Sequence, residues 1–159
     1  MTSSETLTQK WLRQNIAAYN DGNRVFADVD ATLSLYQTLR PKTDVYSSVT
    51  CLERSLTVSL IASIYFPIAY DDGRTQLLLC VHGLLPIAYR QASYHIPIAI
   101  WITRQYPREP PLSFVVPTSD MLVKPSKHVS VSGLCRIEYI LDWEKKYEVR
   151  LCHISVALI

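Results

Sequence analysis

The chain is 159 residues long, enough for one domain and short of two. Hydrophobic residues make up 48% and charged residues 19%, which supplies a packed core and excludes a wholly disordered chain. The net charge is only +2, with Lys and Arg scattered rather than striped, so no nucleic-acid partner is expected.

Residues 4–20 place Leu7, Trp11, Leu12, Ile16 and Tyr19 at helical spacing, which predicts an amphipathic helix capped by Ser3 and Ser4. Asn20-Asp21-Gly22-Asn23 is expected to end it. A second helix is predicted over 25–39, with Val25, Val29, Leu33, Tyr36 and Leu39 on one face. Pro41 reads as its stop, because proline lacks an N–H and clashes with the preceding turn. Residues 47–69 contain an apolar run that continues to Tyr70. Ser59, Ser63 and Pro67 break it, and it falls short of the ~20 apolar residues a membrane span needs, so no direct membrane insertion is expected.

Strands are predicted over 75–82, opened by the turn Asp71-Asp72-Gly73, then over 97–103 and over 112–116. Short connections between successive strands predict an antiparallel meander with the helices on one face, hence an α+β domain. The end of the chain, 147–159, alternates loosely and is apolar enough that it must pack. Cys51, Cys80, Cys135 and Cys152 form no C-x-x-C pair and have no His at metal-ligand spacing. They read as idle thiols in a reducing compartment, with no metal and no cofactor. Met1-Thr-Ser-Ser-Glu lacks the basic and apolar regions of a secretory leader, which predicts a cytosolic protein.

A set of short motifs carries more specific information. In chain order they are Leu35-Tyr36, Leu39-Arg40-Pro41, Asp71-Asp72-Gly73, Ile87-Ala88-Tyr89-Arg90, Tyr94-His95-Ile96-Pro97 and Trp101. Tyr106-Pro107-x-x-Pro110-Pro111, Pro117-Thr118-Ser119-x-Met121, Lys127-His128-Val129, Gly133, Tyr139 and Trp143 follow. In this order and spacing, residues 24–46 and 70–143 resemble the ubiquitin-conjugating-enzyme variant (UEV) domain, as it opens the ESCRT-I sorting subunit. The resemblance implies a ubiquitin-conjugating-enzyme-like α+β fold, an antiparallel four-stranded sheet with packed helices. It also implies a single domain over 1–159, with a poorly matching insertion at about 47–69 and a divergent end at 144–159. The family closes its peptide groove with a tail that this end does not match.

The resemblance further implies a non-catalytic module of ubiquitin-dependent endosomal protein sorting, cytoplasmic and endosome-associated. Its partners would be ubiquitin or ubiquitinated cargo, Pro-rich adaptor peptides and other ESCRT-I subunits. By position, ubiquitin would dock on Asp71, Asp72, Leu84, Trp101 and Phe114, with Ala69 beside them. The Pro-rich peptide would lie on Ile87, Tyr89, Tyr94, His95, Ile96, Thr118 and Met121, with Leu84 shared. Tyr89 and Tyr94, expected on a loop between strands, would form an aromatic slot for a proline ring.

A conjugating enzyme of this frame needs a Cys nucleophile where this chain has Arg136. The competing reading is a divergent conjugating enzyme that uses Cys135 instead. If that segment is extended, a slip of one residue turns Cys135 to the opposite face from the nucleophile position. His128 stands where an oxyanion-stabilising Asn would be needed. A third reading is a defective fragment whose insertion interrupts the first hairpin.

Overall fold

Thr6 starts the first helix by a reciprocal exchange. Its hydroxyl accepts from the Gln9 N–H, and the Gln9 side-chain oxygen accepts from the Thr6 N–H. This box pairs two of the donors that a helix start otherwise leaves open. In the computed structural model, which describes residues 5–46, 76–119, 121–143 and 151, α1 therefore runs Leu7–Asn15 and is shorter than the predicted 4–20. Asp21 does not end that helix. Its carboxylate accepts the Arg24 N–H and opens α2, Gly22–Leu35.

The second helix also ends early. The Leu39 N–H bonds back to the Tyr36 carbonyl, and the chain turns into strand β1, Leu39–Tyr46. The predicted helix 25–39 thus gives its last residue to a strand that the helical reading had missed. Pro41 sits inside β1 opposite Val81. A proline is tolerated there because β1 is the edge of the sheet, paired with β2 alone among the described residues. The remaining strands are β2 (Gln76–Tyr89), β3 (Ala92–Ile102) and β4 (Leu112–Val115), and the order β1-β2-β3-β4 is an antiparallel meander. The predicted insertion, the Asp71-Asp72-Gly73 turn and all of the divergent end except Leu151 lie outside the described residues.

Strand alternation sorts the sheet into two faces. Leu79, Val81 and Leu85 of β2 and Ile98, Ile100 and Ile102 of β3 pack under the helices with Leu12, Ile16, Val25 and Val29. Leu151 joins this core, fully buried. The opposite face carries only a small cluster, Tyr46, Leu78 and Phe114, with Trp101 and Leu112 beside it.

Three sets of hydrogen bonds tie the helical side of the domain to β2, β3 and the loop after β3. The Tyr19 hydroxyl accepts the Leu79 N–H at 2.6 Å and donates to the Ile102 carbonyl at 3.2 Å. Leu79 and Ile102 are register partners, so a side chain finishes the β2–β3 ladder where the strands part. The Tyr106 hydroxyl donates to Asp28 Oδ2 at 2.5 Å, and Arg24 Nε donates to the same oxygen at 2.8 Å. Trp143 Nε1 donates to the Pro107 carbonyl at 2.7 Å, and its ring lies 5.8 Å from that of Tyr106. The Tyr-Pro motif and the distant Trp are therefore parts of one structural clamp. Burial and the neighbouring Asp28 carboxylate both push the Tyr106 phenol upward, so it stays a donor at neutral pH.

Two glycines let loops approach the sheet. Gly83 has φ +145°, and a Cβ there would lie 2.4 Å from the Thr38 carbonyl oxygen. Gly133 has φ +82°, and a Cβ would lie 2.2 Å from that of Val115. The first lets the α2–β1 turn cross β2, where Thr38 Oγ1 bonds the Leu84 carbonyl at 2.5 Å. The second brings the chain after β4 back along that strand.

Tyr106→Phe removes one donor from a buried carboxylate without changing the ring. We expect it to lower the unfolding free energy by about 1.5–3 kcal/mol, the range for a hydrogen bond to a charged group. Urea denaturation with an unchanged slope checks this; an unchanged midpoint would mean that Asp28 finds its second partner elsewhere.

Candidate functional site

The face turned away from the helices forms an open groove of about 1040 Å³. Its floor is β2 and β3, where alternation presents His82 and Leu84 from one strand and Pro97, Ala99 and Trp101 from the other. Lys42, Asp44 and Tyr46 of β1 wall one side. Phe114 continues the floor, and Thr118, Met121 and Leu122 of the chain after β4 wall the other side. Several of these side chains are apolar and open to solvent: Leu84 is 45% exposed, Met121 37% and Leu122 fully. An exposed apolar surface rimmed by polar groups is the usual mark of an interaction site.

Trp101 is the centre of this floor. Its ring is half-buried and tilted against Tyr46, with centroids 5.3 Å apart. The Lys42 ammonium sits 5.8 Å from the Trp101 centroid and donates to Asp44 Oδ2 at 2.8 Å. The Lys42 hydrogen bond, then that from the Val45 N–H, holds the Asp44 carboxyl below its usual value. Both partners are exposed, so this pair orients the wall and adds little stability. Half-buried His82 titrates below the ordinary value of 6.5, first because of burial and second because of Lys42.

The structure divides the expected site residues into two groups. Leu84, Trp101 and Phe114 share the groove floor, and Thr118 and Met121 line the same groove. Ile87, Tyr94, His95 and Ile96 lie farther out on the β2–β3 hairpin, beyond the groove lining. Ile87 and Ile96 pack on the helix-side core, and Tyr94 pairs with Ile87 on that face while remaining 48% exposed. His95 is exposed and opposite Pro86 on the other face. Tyr89 and Tyr94 are on strands, not on a loop as expected, because a two-residue turn at Arg90-Gln91 carries the ladder to Tyr89↔Ala92. Both turn residues have positive φ, the geometry that matches strand twist in tight hairpins. A bond from the Val116 N–H to the Pro97 carbonyl, 2.9 Å, holds the chain entering Thr118 against the β3 edge, two residues from His95. Asp71 and Asp72, with Ala69, lie outside the described residues.

Lys42, Asp44, Tyr46 and His82 are groove residues that sequence reasoning missed. The available signal was the segment Leu39–Tyr46 itself. It carries Thr43, Val45 and Tyr46 after a proline, a strand composition whose even-numbered residues face one way. Extending α2 to Leu39 concealed it.

The region of the absent nucleophile is ordered by short bridges. Phe114 pairs with Leu134 and Val129 with Cys135. The Cys135 N–H donates to the Ser113 carbonyl at 2.8 Å, and the Arg136 N–H donates to the His128 carbonyl at 2.6 Å. Cys135 is 3% exposed, whereas Arg136 and His128 are exposed. Neighbouring residues thus face opposite ways, as the one-residue slip predicts. Burial pushes the Cys135 thiol up to about 11, partly offset by a backbone hydrogen bond from Val115. It is therefore protonated at neutral pH, the wrong state for a nucleophile. Among the described residues no group of three or more His, Cys, Asp or Glu could hold a metal ion.

Known proteins share this frame. The sequence model described as "UEV domain" matches residues 62–156. The human Tumor susceptibility gene 101 protein is 26% identical over 153 residues, 96% of this chain and 34% of that protein. Protein ELC of Arabidopsis thaliana is 41% identical over 75 residues, 46% of this chain and 19% of its own length. The chain thus spans about a third or less of these relatives. The yeast vps23 UEV domain in complex with a vps27 PSDP peptide superposes with a TM-score of 0.74 at 22% identity, over 95% of this chain and 87% of that one. A complex of the Vps23 UEV with ubiquitin gives 0.68 at 25% identity, over 95% and 89%.

Cys135 should resist alkylation in the folded protein. Relative to a thiol titrating at 9, one at about 11 holds on the order of 100-fold less thiolate near neutral pH. Peptide mapping after iodoacetamide treatment should show Cys135 modified at least tenfold more slowly in the native than in the unfolded chain. Equal rates would contradict its burial.

Proposed function

Because this chain belongs to the UEV domain family, we propose that it is a non-catalytic recognition module that docks ubiquitin, or ubiquitinated cargo, on the outer face of its sheet. The observation that carries this is the gathering of Leu84, Trp101 and Phe114 on one exposed apolar floor, away from the helices. The yeast structural relative bound to ubiquitin supports the choice of partner. Asp71 and Asp72 are proposed as hydrogen-bond acceptors for the same partner. The proposed second ligand is a short Pro-rich motif on the β2–β3 hairpin, where Ile87, Tyr89, Tyr94, His95 and Ile96 fall, with Thr118 and Met121 at the adjoining strand edge. The yeast relative bound to a PSDP peptide supports that part.

Catalysis by thioester transfer is disfavoured by two facts of chemistry. Arg136 has no nucleophilic sulfur, and Cys135 is buried and held as a thiol. The proposed setting is ubiquitin-dependent endosomal sorting of the ESCRT-I type, cytoplasmic and endosome-associated, with other ESCRT-I subunits as further partners. Among the described residues no helix is long and apolar enough to cross a membrane. A shallow, open groove yields weak affinity, on the order of 0.1–1 mM, because little interaction energy is left after the cost of association.

NMR titration of the chain with ubiquitin tests the docking. Binding should saturate in that range, and Leu84→Asp, at an exposed position, should weaken it at least tenfold while leaving the spectrum folded. Unchanged ubiquitin shifts at saturating protein would remove the site. Incubation with activating enzyme, ATP and ubiquitin should leave no adduct sensitive to reductant; a band lost with thiol and absent in Cys135→Ala would make the chain an enzyme.

A further inference from the structure

Within the groove, His82 is the one group among its described lining residues whose charge can change near neutral pH. It projects from the floor, between Cys80 and Leu84 on its own strand. Its register partners are Arg40 on β1 and Ala99 on β3. Among the described residues, the charged groups around it come from β1 alone. Arg40 is turned back on its own loop, donating to the Gln37 and Leu39 carbonyls. Lys42 stands next along the same face, and Asp44, the remaining charged group of the wall, is already paired with it. The β3 side offers Pro97, Ala99 and Trp101. The described residues that line the groove after β4 are uncharged.

Among the described residues the imidazole therefore has one nearby cation, Lys42, and no carboxylate of its own, since Asp44 is taken by Lys42. We propose that His82 is a further recognition residue of this groove, one whose neutral form the docked partner favours, so that affinity declines on acidification. This inference rests on the reading that ubiquitin docks on the outer face. A partner covering the floor removes the water that still solvates half-buried His82. Desolvation disfavours the imidazolium, and neither Arg40 nor Lys42 can compensate it. Already on the bare sheet, burial and Lys42 lower its titration below 6.5, and docking deepens the first of these causes.

The sign follows from linkage. The bound state holds its proton less tightly than the free state, so binding releases a proton wherever free His82 is charged. Affinity is full above the free-state pKa and declines as pH falls through it towards the bound-state value. Each unit by which docking lowers the pKa corresponds to as much as a tenfold loss at low pH.

The test compares ubiquitin affinity at about pH 7.5 and about pH 5.5 for the wild type and His82→Gln, which keeps a polar side chain that cannot charge. The wild type should weaken about three- to tenfold on acidification, and the variant less than about twofold. Titrating groups on ubiquitin contribute equally to both and cancel. A second measurement uses the unmutated chain: the His82 ring proton followed by NMR should titrate at a lower pH with saturating ubiquitin than without. Equal pH sensitivity in both proteins, or a His82 titration unmoved by ubiquitin, overturns the inference while leaving the docking reading intact. Failure to bind at the higher pH overturns both.

Discussion

The buried hydrogen bond from Tyr106 to Asp28 ties α2 to the loop that follows β3, on the face of the sheet whose alternate apolar residues form the core. Asp28 lies on α2 and is only 6% exposed; the Tyr106 hydroxyl and Arg24 satisfy the same carboxylate oxygen. A carboxylate in such a place is costly without partners and stable with them. Once it is satisfied, α2 is held across one face, and Trp143 closes the clamp by bonding the Pro107 carbonyl. The hydrophobic residues of the helices, of alternate β2 and β3 positions and of Leu151 then share one core. With α1 and α2 on that side, no described helix covers the other, and its side chains are open to a partner.

That outer face combines the features expected of the proposed weak, reversible docking surface. Its floor is aromatic and aliphatic, its β1 wall carries a mutually neutralised Lys42–Asp44 pair, and its far wall is a loop kept near the sheet by Gly133. The same loop geometry turns Cys135 into the protein and Arg136 out. Chemistry by a thiolate is thereby disfavoured at the position where the family resemblance leads one to look for it, and the apolar surface beside it stays open. The buried Cys135 and the open apolar face come from the same local arrangement.

The sequence made the family, the antiparallel meander and the placement of the helices on one face readable, because long apolar periodicities and spaced motifs survive substitution. Boundaries were less readable. Ser3 and Ser4 looked like caps, yet Thr6 and Gln9 form the box; the sequence contains several possible caps, and the choice among them depends on how α1 packs. Leu39 continued the helical stripe of α2, and only tertiary pairing with Gly83 assigns it to β1. That single boundary hid one wall of the groove, since Lys42, Asp44 and Tyr46 all belong to β1. The floor residues Leu84, Trp101 and Phe114 were named from the resemblance, and pairing register explains why they meet. The hairpin residues were also named from it, but alternation places His95 on the opposite face from Ile87 and Tyr94, a distinction that spacing along the chain does not contain.

The central claim is that the face opposite the helices is the one a partner covers. Cross-saturation NMR tests it most directly: ubiquitin is irradiated, and the loss of intensity is read at methyl groups of this chain. Saturation should reach Leu84 and Met121 of the groove and leave Val25 and Val29, beneath the helices, untouched. Transfer confined to α1 and α2 methyls, with Leu84 and Met121 unaffected, would contradict the account.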